Sequence, residues 1–191
     1  MNSQATPELS DLELVQHVRA GDRQAFTSLM QRYHKQVYRI ARRIVGNHED
    51  ADTVAQEAFL KAYLGLGDFR NDSTFHTWLY RIAVNLALNA VRKQQIMSYL
   101  RESELLARFL PRDERSRAPL NDSETGGTLQ EALRALPEKQ LSVFVLRFFE
   151  ELSYEETAEI LKTSVGGLKV NYIQTIGQIR EHLSSVDAAA H

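Results

Sequence analysis

The longest amphipathic stretch of the chain is Ser73–Arg101, STFHTWLYRIAVNLALNAVRKQQIMSYLR. Phe75, Trp78, Leu79, Ile82, Leu86, Ala90 and Val91 recur in it at three- and four-residue steps, which predicts a helix with one buried face. Ser73 is the expected N-cap. Arg81, Asn85, Asn89 and Arg92 fall along the other side, interrupted only by Leu88. The same period runs through most of the chain. Leu12 to Val18 predict a short helix stopped by Gly21, and Asp22 is placed to cap a second that carries Phe26 to Ile44 and ends at Gly46-Asn47. A third begins near Asp50 and breaks at Gly65 and Gly67. Leu129, Leu133 and Leu136 mark another, and Pro137 opens the next, which carries Leu141 to Phe149. Ser153 and Glu156 have capping-box spacing; their helix ends near Lys162, and Ser164 caps a last helix reaching about Leu183. A short helix, a tight turn and a longer helix is the helix-turn-helix pattern. The expected fold is all-α: two small helical domains, at 10–99 and 127–185, joined by a flexible linker over 100–126. That linker holds two of the four prolines, a Gly pair and dense mixed charge. Residues 1–9 read as a loose tail.

Charge changes this picture. The net value over 191 residues is −2, but residues 1–97 carry 12 basic and 10 acidic side chains, and residues 127–191 carry 6 and 9. Ser73–Arg101 has no acid at all, with Arg81, Arg92, Lys93 and Arg101 as its bases. Arg and Asn bond base edges, and Arg neutralises phosphate. Phe75, His76, Trp78 and Tyr80 sit where aromatic rings would stack on unpaired bases. In the preceding loop, Phe69 and Arg70 set a ring and a cation beside this acid-free helix. The same features also fit an ordinary core helix with a solvated polar face. In the third helix, Asp50 and Asp52 complement the helix dipole, and Asp50, Thr53, Glu57 and Lys61 form a polar stripe with Gln56 beside it. There is no cysteine, so disulfides and thiolate metal sites are excluded. No apolar run approaches a membrane span, and the N-terminus lacks the basic start and apolar core of a signal peptide. The expected location is the cytoplasm, with no direct membrane insertion.

The run DFRNDSTFHTWLYRIAVNLALNAVRK resembles the second domain of bacterial RNA polymerase sigma factors, most nearly those of the extracytoplasmic-function (ECF) type. DADTVAQEAFLKAY looks like the same family's polymerase-binding helix, and SYEETAEIL with SVGGLKVNYIQ resembles its fourth domain. The resemblance implies a transcription-initiation factor that binds core RNA polymerase, directs it to promoter DNA and helps melt it. It implies core-polymerase contacts from Asp50, Asp52, Gln56, Glu57 and Phe59. It also implies minus-ten contacts from the loop residues Phe69, Arg70, Asn71, Ser73 and Phe75, and from Trp78, Tyr80, Arg81, Asn85, Asn89, Arg92 and Lys93 on the helix. The minus-thirty-five element falls to Ser164, Gly167, Lys169, Val170, Asn171, Ile173 and Gln174. It further implies an anti-sigma factor, often membrane-anchored, as a partner.

This sequence departs from the family pattern at several positions. Thr53 stands where a second carboxylate is usual, Lys162 replaces a helix-ending glycine, and Gly167 replaces a hydroxyl residue. The last helix has only Lys169 and Arg180 as cations between Ser164 and Arg180, where the family usually has several arginines. Val170 and Ile173 there either touch thymine methyls or are covered by a protein partner. The rival functions are a helix-turn-helix regulator acting without polymerase and a helical metal hydrolase built on His48-Glu49-Asp50-x-Asp52. The first does not account for the aromatic loop, and the second crowds its ligands off a common helix face. The sequence shows no nucleophile motif or phosphate loop, so no catalytic residue, metal or cofactor is expected.

Overall fold

Side chains fix the start of the first helix, α1 (Asp11–Arg19). In the computed structural model, which describes residues 9–102 and 124–189, Ser10 and Glu13 form a reciprocal capping box. The Ser10 amide donates to Glu13 Oε2 at 2.7 Å, and the Glu13 amide donates to Ser10 Oγ at 3.4 Å. Two otherwise free backbone donors are satisfied. Asp11 accepts from Arg32 and from the Tyr33 hydroxyl, which ties α1 to α2 (Arg23–Val45). Burial, aided by the Asp11 bond, pushes the Tyr33 hydroxyl well above its usual range.

Asp22 caps α2 as expected, accepting from the Gln24 amide at 2.8 Å. Gly46 ends the helix at φ 83°, a left-handed conformation that costs glycine little. The next helix, α3 (His48–Gly65), starts earlier than the acidic pattern predicts. Asn47 is its cap and accepts from the Asp50 amide at 2.8 Å. The buried face of α3 is almost all small: Ala51, Val54, Ala55, Ala58 and Ala62. That lets α3 lie close against α2, which offers Leu29, Val37 and Ile40, and against α4 (Phe75–Glu102), which offers Leu79, Ala83, Val84 and Ala87. Truncating the fully buried Leu29 or Leu79 to Ala costs about 2–5 kcal/mol at sites of this kind.

Between α3 and α4 the chain makes one 3₁₀ turn, Leu66–Asp68, then a loop. The residue that starts α4 is Thr74, not Ser73. Its Oγ1 accepts from the Thr77 amide at 3.4 Å, and its carbonyl accepts from the Trp78 amide at 3.1 Å. All of the predicted tail but Leu9, and most of the predicted linker, lie outside the described residues.

The second half is also helical: α5 (Glu124–Ala135), α6 (Glu138–Phe144), α7 (Tyr154–Leu161) and α8 (Val165–Ala189). Pro137 caps α6 rather than occupying its first turn. Beyond α6 the helix widens into a π turn, Val145–Phe149, closed by the Glu150 amide on the Val145 carbonyl at 3.2 Å. Arg147 in that turn donates to the Leu152 carbonyl, and its guanidinium lies 4.1 Å from the centre of the Tyr154 ring. The Ser153–Glu156 capping box is present. Lys162 takes the left-handed cap expected of it, φ 50° and ψ 50°. Ser164 accepts from the Gly167 amide at 3.1 Å and so starts α8. Leu141, Phe144, Leu146, Ile160 and Ile179 share the interior. No strand occurs among the described residues.

The two halves touch. α7 lies against α4, and the π turn lies against α2. Glu150 is the most enclosed charge of this contact. Its side chain is 3% exposed, with Arg39 and Arg43 each bonded to it at 2.7 Å. Arg43 also lies 4.0 Å from the centre of the Phe149 ring.

Candidate nucleic-acid interface

The loop before α4 is held from a distance. Arg19, at the end of α1, donates from Nε to the Leu66 carbonyl at 3.1 Å and from a terminal nitrogen to the Phe69 carbonyl. The Leu66 carbonyl also accepts the Phe69 amide at 3.4 Å, so the Arg19 bonds tie both the turn and the loop after it to α1. Arg19 lines a cavity of about 520 Å³ with Gly67, Asp68, Phe69, Arg70 and Asn71. Arg70 is exposed, and Asn71 bends the loop at φ 58°. Asn tolerates that region better than most residues.

The rings expected to stack on bases divide into two sets. Phe69, Phe75 and Tyr80 are buried. Phe69 packs on Trp78 with ring centres 4.9 Å apart, and Phe75 lies 6.0 Å from Trp78. Burial, helped by the nearby Glu150 charge, pushes the Tyr80 hydroxyl up to about 12. These three rings are scaffold. Trp78 is half-buried and leans on Gly65, where an added Cβ would meet the indole at 3.4 Å. So the glycine that ends α3 also seats the ring.

Along α4, Asn85, Asn89, Arg92 and Lys93 are exposed and Arg81 is half-buried. Arg92 donates to Asn89 Oδ1 at 3.1 Å and grips Glu138 of α6 with Nε and Nη2 at 2.5–2.9 Å. That carboxylate raises the Arg92 pKa, chiefly through the hydrogen bonds. Arg81 donates to the Glu159 carbonyl of α7 at 2.9 Å, while its Nε is buried without a hydrogen-bond partner. His76 Nε2 lies 3.5 Å from Glu156, which Ser153 holds below the usual carboxylate range.

A second surface lies on α2 and α3. Phe26, Met30, His34, Gln56, Phe59, Leu60 and Tyr63 line an apolar groove of about 450 Å³, which includes no residue of α4. Phe59 forms its floor, stacked at 6.4 Å with His34. Leu60 and Leu64 stand 57% and 72% exposed beside it. The sequence pattern pointed to Gln56 and Phe59 here but not to Leu60, Tyr63, Leu64 or Met30. For Leu60, Tyr63 and Leu64 the signal was present as apolar residues beside the polar stripe of that helix. Glu57 and Lys61 make the expected pair at 3.1 Å. Asp52 is exposed, whereas Asp50 is engaged by Asn47 Nδ2 at 2.5 Å and by Gln94. His48 bonds the Tyr38 hydroxyl. No set of three His, Cys, Asp or Glu side chains converges on a metal position among the described residues.

On α8, Lys169, Val170, Ile173 and Gln174 are exposed and Asn171 is half-buried. Leu168 is fully buried and fixes the rotation of the helix. Lys169 Nζ lies 5.4 Å from the centre of the Tyr154 ring. Among the described residues, no helix is long and apolar enough to cross a membrane.

Comparison with known proteins finds two family regions along the chain. Residues 29–96 match Sigma-70 region 2, and residues 127–172 match Sigma-70, region 4. The RNA polymerase sigma-H factor of Pseudomonas aeruginosa is 38% identical over 170 residues, covering 83% of this chain and 86% of its own. The ECF RNA polymerase sigma factor SigW of Bacillus subtilis is 33% identical over 181 residues, covering 88% and 94%. The fold is also that of CnrH, solved in complex with the cytosolic domain of CnrY, at a TM-score of 0.69 and 23% identity over 92% of this chain and 97% of that one. The sigma factor RpoE of Bartonella quintana, solved with the anti-sigma factor NepR, gives 0.64 at 20% identity over 83% and 96%. Two region matches in the family's order, and relatives alike over most of their length, make this chain a member of the ECF family of RNA polymerase sigma factors.

Proposed function

We propose that this sigma factor divides its work among three surfaces. The apolar groove of α2 and α3, with Gln56, Leu60, Tyr63 and Leu64 and the flanking Asp52 and Glu57, docks on core polymerase. The loop at Arg70-Asn71 and the α4 residues Trp78, Arg81, Asn85, Asn89, Arg92 and Lys93 hold the displaced minus-ten strand, on a scaffold of Phe69, Ser73, Phe75 and Tyr80. From α8, Lys169, Val170, Asn171, Ile173 and Gln174 meet the minus-thirty-five duplex, with Ser164 and Gly167 shaping the helix start. The functional domains are 10–99 and 127–185.

The observation that carries this reading is the separation of the first two surfaces. Polymerase binding and strand capture draw on different residues of one small domain. Melting needs rings, donors and cations that hold unpaired nucleotides, not a catalytic group. The chain is therefore a binding protein, not an enzyme, and works in the cytoplasm. RpoE of Bartonella quintana, which shares this fold and is solved in complex with the anti-sigma factor NepR, supports an inhibitor of the same kind as a further partner.

Trp78→Ala combined with Arg81→Ala tests the separation. Open-complex formation, read by permanganate reactivity of unpaired thymines, is expected to disappear while co-purification with core polymerase is kept. Loss of both together would refute the division of surfaces.

A further inference from the structure

Two of the residues proposed to hold the strand, Arg81 and Arg92, are not free in this structure, and neither are two arginines of α2. Arg92 is bonded to Glu138, Arg81 to the Glu159 carbonyl with the Glu159 carboxylate 4.0 Å away, and Arg39 and Arg43 enclose Glu150. Every one of these acceptors belongs to residues 127–191, the half with 9 acids against 6 bases. Every donor belongs to the half in which bases outnumber acids. A carboxylate with two oxygens offers a guanidinium much the same acceptor geometry as a phosphate does. The fourth domain thus sets carboxylates on cations where a promoter strand would set phosphates.

Resting on the strand-binding role proposed above for α4, we infer that the fourth domain is an intramolecular competitor for promoter DNA. Its Glu138–Glu150–Glu159 edge clasps the cationic face of the second domain and shields it until the two domains part.

Three details fit a clasp that releases rather than a permanent interface. Arg39 and Arg92 are each about half exposed, so salt and water weaken their pairs. Arg81 is only partly satisfied, since its buried Nε has no partner. A nucleic-acid backbone also gains from counterion release, which a carboxylate pair within the chain does not. The basic edge of α2 thereby acquires a role: Arg39 and Arg43 hold the clasp through Glu150, outside the strand-binding residues.

The test uses the full chain carrying Glu138→Gln and Glu150→Gln, changes that keep shape and remove charge. Because the protein has no cysteine, Gln31→Cys and Gln178→Cys, both at exposed positions, place a donor and an acceptor dye on the two domains. In wild type, energy transfer should be high at about 50 mM salt and fall by about 500 mM as screening releases the clasp. In the double Gln variant it should already be low at the lower salt. Binding of a labelled random-sequence single-stranded DNA should tighten at least about two-fold in the variant at low salt, the lower bound set by an exposed pair such as Arg92–Glu138. Equal transfer in both proteins at every salt overturns the clasp. So does parting of the domains without tighter strand binding, provided wild type binds the strand and core polymerase. If neither protein binds the strand or core polymerase, the assignment of the α4 surface has failed, and the competition inferred from it fails with it.

Discussion

Leu60 and Leu64 give the sharpest quantitative expectation. Both project from α3 beside the apolar groove, 57% and 72% exposed, with the rest of each already covered inside the protein. Burying a whole leucine side chain is worth about 1.5–3 kcal/mol. Scaled by the open fractions, complete coverage by a partner would contribute about 0.9–1.7 kcal/mol for Leu60 and about 1.1–2.2 kcal/mol for Leu64. A partner that covers only half of this area still draws about 1–2 kcal/mol from the pair, or roughly five- to thirty-fold in Kd. Leu60→Ser with Leu64→Ser should therefore weaken binding to core polymerase by at least about five-fold, measured by titrating labelled protein with core enzyme. Thermal stability should hold or drop only slightly, because neither side chain supplies much of the core. A Kd within about two-fold of wild type, for protein of unchanged thermal stability, would refute the docking of polymerase on this groove.

Three further outcomes are expected from the described contacts. Arg19→Ala removes the side chain that ties the Leu66 and Phe69 carbonyls to α1, so amides from 66 to 71 should exchange faster and strand binding should weaken while α3 and α4 keep their protection. Lys162→Gly relieves a left-handed residue and should stabilise the protein by about 1 kcal/mol, seen as a higher Tm. Tyr80 is raised from 10.0 to about 12 by burial. The stability it contributes is intact below pH 10 and is lost as pH rises through about 12, so Tyr80→Phe should flatten the alkaline fall in Tm over that window.

Periodicity alone gave every helix of the described residues, because each buries one face and is punctuated by a cap or a glycine. It could not tell Ser73 from Thr74 as the cap, since both are hydroxyl residues one step apart and only the packing of Phe75 decides which amides are left over. It placed Tyr80 among the outward rings, yet Tyr80 turns inward against Tyr33, 6.3 Å between ring centres. A ring with a hydroxyl suits either environment, and its neighbours decide. Arg19 was invisible as a loop anchor, because its carbonyl partners lie 47 and 50 residues away. The same holds for the bonds of Arg39 and Arg43 to Glu150, at separations of 111 and 107. Residue type says that a charge wants a partner but not which one the fold will bring. The thin charge of α8 was legible because it needs no tertiary knowledge, and the structure leaves Ile173 71% exposed on that helix.

The π turn at Val145–Phe149 has a consequence for heredity. It holds one residue more than an α turn would over the same rise. Deletion of a single codon, that of the exposed Phe148 for instance, removes that extra residue and returns the ladder to α register with little rotation of the chain after the turn. Glu150 sits immediately past the turn, so its carboxylate keeps facing Arg39 and Arg43 after such a deletion. One codon lost at this point is thus the change of length that the union of the two domains tolerates best, whereas the same loss inside a regular α-helix would turn everything after it by about 100°.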